Sequence, residues 1–239
     1  MNDTERMKSI LVVAAALAFV LSPLVSQSFG GFDPGQFPVP QDNPPAQPAG
    51  WAFSIWTLIY GWLLVHACFG LLRRADAADW GRTRWPLIAS LVLGAAWIPV
   101  ALRSPQMATA IIWAMLATAH WALLAAPDRD RWWARVPLAL YAGWLTAASW
   151  VSIALIGAGW GIGPGATGWA WIALAGALAT ALAVLVRLGR APEYAVPLSW
   201  ALIGIAAANW SSATLLASAS ALGAAALLIV ALALPAKAR

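Results

Sequence analysis

With 239 residues, 62% of them hydrophobic and only 10% charged, the chain carries far more apolar surface than the core of one soluble domain can hide, so its solvent is lipid. The net charge of +5 does not point to nucleic acid, because the basic residues stand as short clusters between long apolar runs and no groove-reading motif accompanies them. The single cysteine, Cys68, lies within an apolar run and excludes a disulfide framework or a cysteine metal site inside one chain.

A membrane-spanning helix needs about 20 mainly apolar residues. Runs of that kind lie near residues 9–27, 51–72, 86–102, 106–126, 136–158, 168–186 and 211–235. An eighth run, Tyr194 to Asn209, is shorter, but Pro197 suits a first helical turn and Asn209-Trp210-Ser211-Ser212 reads as a tight turn with N-cap residues. The expected fold is all-α, a polytopic transmembrane bundle of about eight helices.

Short loops rich in Lys and Arg stay cytoplasmic. With the N-terminus inside, the inner segments hold Arg6 and Lys8, then Arg73, Arg74, Arg82 and Arg84, then Arg129, Arg131 and Arg135, then Arg187 and Arg190, then Lys237 and Arg239. Only Arg103 falls outside, and removing any one span scrambles the alternation. The pattern predicts a multi-pass protein with both termini in the cytoplasm. The first run also has the basic start and apolar stretch of a signal peptide, although Val25-Ser26-Gln27 is a poor cleavage site.

Between the first two runs, the outer segment from Ser28 to Gly50 has no Lys or Arg and is proline-rich from Pro34 to Pro48. It is expected to be extended and stiff, either a lid over the outer mouth of a cavity or a plain linker. Trp85-Pro86-Leu87 and Val196-Pro197-Leu198 echo one another as openings of helical hairpins.

Of the seventeen tryptophans, Trp51, Trp80, Trp85, Trp132, Trp133, Trp160, Trp169, Trp171 and Trp210 sit at predicted boundaries, as an aromatic belt requires. Trp56, Trp62, Trp97, Trp113, Trp121, Trp144, Trp150 and Trp200 lie within spans, where each N–H wants a partner. On the second span Phe53, Trp56 and Tyr60 share one helical face, as do Tyr141, Trp144, Ala148 and Ser152 on the fifth. Such stripes suit the walls of a site for a flat aromatic ligand, or an ordinary helix–helix interface.

The ionisable groups inside predicted spans reduce to His66 and His120, both at similar depth in the cytoplasmic third. They are the weak metal or haem-iron candidates, with hydrogen-bonded packing as the alternative. No buried carboxylate, catalytic triad, metal-spaced cluster or phosphate-binding glycine loop is visible, so neither an enzyme nor an ion-coupled pump is expected. Ala213, Ala217, Ala221 and Ala225 form a small-residue stripe for close helix packing, within one chain or in a homodimer.

The segment from Pro44-Pro45 through Trp51-Ala52-Phe53-Ser54-Ile55-Trp56-Thr57-Leu58-Ile59-Tyr60 resembles the signature of the TspO/MBR family, the tryptophan-rich sensory proteins. Leu93-Gly94-Ala95-Ala96-Trp97-Ile98-Pro99 is similar to the family's third-helix Asn-x-x-Trp-Ser-Pro, and Tyr141-Ala142-Gly143-Trp144 to the Tyr-x-x-Trp of its fifth helix. The resemblance divides the chain into a five-helix TspO-like unit, residues 1–158, and about three additional helices, residues 159–239. Gly94 stands where the family has Asn, Ile98 where it has Ser and Ser152 where the fifth-helix Asn falls, and extra residues separate Pro45 from Trp51.

The resemblance implies a pocket closed by the first loop that binds porphyrin, haem or sterol-like molecules, with Trp51, Phe53, Trp56, Tyr60, Trp97, Tyr141 and Trp144 as the matching positions. It implies a membrane receptor or carrier that needs no cofactor. The rivals are an enzyme that degrades porphyrin through its pocket indoles and a partner protein whose extra helices dock another membrane complex. Richness in Ala, Arg and Trp with little Lys fits a bacterium of GC-rich genome, and hence its plasma membrane.

Overall fold

The computed structural model describes residues 3–26, 29–189 and 191–235; Gln27, Ser28, Arg190, Lys237 and Arg239, which enter the boundaries and charge pattern above, lie outside them. Eight α-helices follow one another: α1 (Asp3–Val25), α2 (Ile55–Arg73), α3 (Ala78–Ala101), α4 (Pro105–Leu124), α5 (Arg135–Gly159), α6 (Gly165–Leu188), α7 (Pro192–Asn209) and α8 (Thr214–Ala233). Seven of them are long and apolar enough to cross a bilayer, and the 18-residue α7 completes the bundle. No strand occurs among the described residues, and the chain is a polytopic helical membrane protein.

Local chemistry explains several helix ends. Ser104 caps α4 by accepting from the Met107 N–H, with Pro105 in the first turn. Pro192 opens α7, and Gly189 ends α6 at φ 75°, a conformation that suits glycine. Pro86 and Pro197, expected to open helices, lie inside α3 and α7 instead. A helix packed among neighbours tolerates one missing backbone bond, so the arginine-bearing stretch before Pro86 and the residues from Pro192 to Val196 before Pro197 are helical too.

Helix α5 is the centre of the bundle. Twenty of its 25 residues are buried, and it packs against α2, α4, α6 and α7. Small residues permit this: a Cβ at Gly143 would run into the Tyr194 carbonyl of α7. Outside, Leu72, Leu215, Leu222 and Ile229 are among the large apolar side chains left exposed, as a lipid-facing surface demands. The small-residue face of α8 is rotated from the expected one. Ala217, Ser220, Ala224 and Ala231 are buried, and the Ser199 hydroxyl of α7 donates to the Ala224 carbonyl at 3.1 Å, whereas Ala225 is exposed and Ala213 and Ala221 are only partly covered. The period of 3.6 drifts off a strict four-residue repeat within two turns.

The arginine-rich turns share one end of the bundle and form a network of ion pairs. Glu5 of α1 pairs with Arg84 of α3 at 2.7 Å, and Arg84 also donates to the Arg74 carbonyl. Arg74 grips Asp130 through two bonds of 2.6 and 2.9 Å, and this holds the Asp130 carboxyl below its ordinary value. That pair therefore stabilises the fold fully above the unfolded aspartate pKa of about 3.9 and ceases to do so as the pH falls through the lower folded value. Glu193 of α7 meets Arg131 at 2.7 Å and the buried Arg135 of α5 at 3.3 Å, while Arg135 also reaches Asp128 at 3.0 Å. Glu193 is a buried carboxylate that the hydropathy pattern did not reveal, because it stands one residue before the apolar run.

Removing one partner of a buried ion pair leaves the other uncompensated. Glu193→Ala is expected to lower stability by about 3 kcal/mol, read as earlier thermal denaturation in detergent, because it takes the buried carboxylate from the buried Arg135, whose other partner, Asp128, is more exposed. Arg131→Ala, which removes the exposed partner, should cost at most about 1 kcal/mol. Equal effects would mean that burial does not decide the strength of this cluster.

Candidate functional site

A cavity of about 270 Å3 lies among α1 to α5, walled by Phe19, Phe53, Trp56, Tyr60, Trp97 and Trp144. A second lobe of about 60 Å3 adjoins it under the proline-rich loop; Phe29, Phe53, Trp97 and Trp144 face both lobes, and Gln47, Pro48, Ser152 and Ala201 face only the outer one. The rings hold one another by edge-to-face contacts. Phe19 meets Trp56 at 5.7 Å and Tyr60 at 5.1 Å, Trp144 meets Trp56 at 6.1 Å, and Trp56 stacks on Tyr60 at 5.0 Å.

Five residues expected at the site, Phe53, Trp56, Tyr60, Trp97 and Trp144, converge on this cavity from three helical segments. Phe53 belongs to a 3₁₀ turn (Gly50–Ser54) that runs directly into α2. Tyr141 stands one layer behind: it is fully buried, its hydroxyl lies 2.9 Å from that of Ser90, and Phe19 separates it from the space. Trp51 is outside the cavity, half exposed, and packs edge-on against Trp200 of α7 at 4.9 Å. Sequence reasoning missed Phe19 and Phe29. For Phe19 a signal existed, since Ser9, Val12, Ala16 and Phe19 recur at three and four residues along the buried face of α1.

The tryptophans inside spans divide by task. Trp113 and Trp150 pair edge-to-face and donate to the Ser149 carbonyl and the Thr180 hydroxyl, which makes them a helix–helix interface. Trp62 stacks on Trp132 and donates to its carbonyl. Trp121, within a predicted span and expected to find a partner, is 64% exposed, and Trp80, expected in the belt, is 2% exposed and stacks on His66. Among those lining the cavity, Trp97 donates to the Ala108 carbonyl at 2.8 Å. The indole N–H groups of Trp56 and Trp144 and the Tyr60 hydroxyl have no protein partner among the described residues.

The two histidines have separate partners. His66 Nδ1 lies 2.8 Å from the Trp133 carbonyl, and His120 Nε2 lies 3.1 Å from the Tyr194 hydroxyl, which in turn meets Thr146 at 2.8 Å. No group of three His, Cys, Asp or Glu arranged to hold a metal occurs among the described residues.

The departures from the resembling motif have physical counterparts. A Cβ on Gly94 would lie 2.5 Å from the Phe19 ring and 3.0 Å from the Met115 methyl, so the glycine makes room for Phe19 to plug the wall. Ser152, at the outer lobe, satisfies its hydroxyl by donating to the Ser149 carbonyl. Gly94→Ala is expected to destabilise by about 1–3 kcal/mol through overpacking, and Phe19→Leu in the same chain should restore part of that loss in thermal denaturation. Additive losses would show that the two positions do not share this space.

The aromatic motifs, the helix count and the cavity between the first five helices can be set beside known proteins. Nothing among curated proteins and nothing among solved structures matches the chain. A family profile described as TSPO-like protein matches residues 8–233, which takes in all eight helices, α6 to α8 included. The chain belongs to the TSPO-like family.

Proposed function

We propose that the protein is a membrane receptor or carrier that binds a flat hydrophobic ligand, a tetrapyrrole such as porphyrin or haem or a sterol-like molecule, in the aromatic cavity. The observation that carries this reading is the convergence of Phe53, Trp56, Tyr60, Trp97 and Trp144 on one space, with three hydrogen-bond donors there left without protein partners. An apolar enclosure with a few orienting polar groups is the usual form of a small-molecule site. Indole and phenol donors on the residues that line such a space favour a ligand with acceptor atoms at its rim.

The inner lobe, about 270 Å3, lies below the common range of about 300–1,000 Å3 for ligand pockets, so a substituted tetrapyrrole requires the enclosure to widen. The structure therefore corresponds to a closed form in this reading. The arginine-rich end faces the cytoplasm of a bacterium, by the positive-inside rule, and the cavity opens towards the opposite leaflet under the proline-rich loop. The protein acts as a monomer or a homodimer, and the reading assigns it binding without a bond-making step.

Protoporphyrin IX titrated into the detergent-purified protein is expected to quench tryptophan fluorescence saturably, and a variant carrying Trp56→Leu and Trp144→Leu should lose most of that saturable component. Equal, non-saturable quenching in both would reduce the effect to micelle partitioning and end the tetrapyrrole reading. Conversion of the bound porphyrin to a new product would replace the carrier by an enzyme.

A further inference from the structure

The proline-rich loop crosses the end of the bundle opposite the ion pairs, and it is tied down along its length. Asp33 caps a 3₁₀ turn (Pro34–Gln36), and Gln36 donates from its amide to the Ala101 carbonyl at the end of α3. The Val39 N–H donates to the Gly159 carbonyl at the end of α5. The part of the loop nearest the cavity is held by α7. The Asn209 amide donates to the Pro45 carbonyl at 2.9 Å, the Ala49 N–H donates to the Gly204 carbonyl at 3.0 Å, and the Trp200 indole donates to the Ala52 carbonyl at 2.9 Å.

The fit at this contact is close. A Cβ at Gly204 would stand 2.9 Å from the Cβ atoms of both Pro48 and Ala52, so glycine is what lets the loop and the helix touch. Trp51 covers the seam by packing on Trp200. The same stretch roofs the site: Gln47 and Pro48 face the outer lobe, and α7 contributes Ala201 to its wall. The cavity's other walls are long helices packed through the apolar core around α5, whereas the roof is a short segment that buries only the small side chains of Ala46, Pro48 and Ala52 and takes its directional attachment from the hydrogen bonds to α7. Local opening concentrates where few apolar contacts are broken.

We propose that α7 is the latch of the cavity, with Asn209, Trp200 and Gly204 as positioning residues that hold residues 45–52 down over the outer lobe, and that release of this contact admits ligand. The proposal rests on the cavity being a ligand site, but the latch itself can be read without ligand. It also gives α7 a task in the site, though α7 touches the inner lobe nowhere. Each neutral hydrogen bond changes an opening equilibrium by roughly fivefold, so three in parallel hold the roof firmly yet let it open without unpacking a helix.

The first test is hydrogen exchange on the full chain. Asn209→Ala with Trp200→Phe is expected to speed amide exchange across residues 45–52 by about tenfold or more while the amides of α5 keep their protection. Unchanged protection at 45–52 would overturn the latch. The second test works in the opposite direction, in a Cys68→Ser background carrying Ala52→Cys and Gly204→Cys. The Cβ positions, 2.9 Å apart as built, need to part by only several tenths of an ångström to reach the ~3.5–4.5 Å of a disulfide.

Relative to the same double-cysteine variant kept reduced, oxidation should slow both uptake and release of protoporphyrin IX at least tenfold, and a reductant should bring the rates back to those of the reduced variant. The loosened variant should speed both rates with little change in Kd. A variant that loses affinity with unchanged rates of uptake would make Asn209 and Trp200 merely structural and overturn the proposal. If wild-type protein takes up no porphyrin saturably, the ligand reading fails, and hydrogen exchange still decides whether α7 latches the roof.

Discussion

A bundle surrounded by hydrocarbon has to satisfy its polar groups from within, because lipid offers no hydrogen bonds in place of water. The protein meets this requirement largely by pairing side chains with main-chain carbonyls. Trp62, Trp97, Trp113 and Trp200 each donate an indole N–H to a carbonyl of another segment, and His66 sits on the Trp133 carbonyl. The Trp56 and Trp144 indoles and the Tyr60 hydroxyl differ in that their residues line a cavity while these groups have no protein hydrogen-bond partner among the described residues.

Helix α5 makes the site and the rest of the bundle one object. Trp144, Ala148 and Ser152 turn one side of it towards the two lobes, while Gly143 and Thr146 meet Tyr194 of α7 on the other. At the opposite end Arg135 of the same helix shares Glu193 with Arg131, so α7 is anchored by charge at one end and by the loop's carbonyls at the other. The match of the family profile through residue 233 agrees with this continuity, because α6 to α8 pack onto the first five helices through α5 and the 3₁₀ turn before α2.

Tryptophan position along a span proved a coarse guide to its task. Trp121 and Trp144 both lie inside spans, yet one faces lipid and the other faces the cavity. Trp80 lies among charged residues at the start of α3 and is nonetheless buried, because Arg74, Arg84 and Asp130 are linked to one another and draw the turns between α2 and α3 and between α4 and α5 over it. The arginines, legible as topology signals, are also structural. The small-residue motif positions behave likewise: Gly94 is not simply the loss of a polar group but the space into which Phe19 packs.

The sequence by itself determined the solvent, the helical class, the eight helices and the family. Each depends on properties that accumulate along the chain: apolar length, the spacing of Lys and Arg, and local motifs such as Trp51-Ala52-Phe53-Ser54-Ile55-Trp56. It also picked out five rings of the cavity: Phe53, Trp56 and Tyr60 share a face by helical periodicity, Trp144 lies on the fifth-span stripe, and Trp97 stands in the motif similar to the family's third helix. Tertiary structure decided what periodicity cannot express. The direction a helix faces depends on its neighbours, so only packing could put Phe19 in the wall, Tyr141 behind it and Trp51 outside. The hold of α7 on the loop joins residues more than 140 positions apart through main-chain carbonyls, which every residue carries and no sequence pattern can single out.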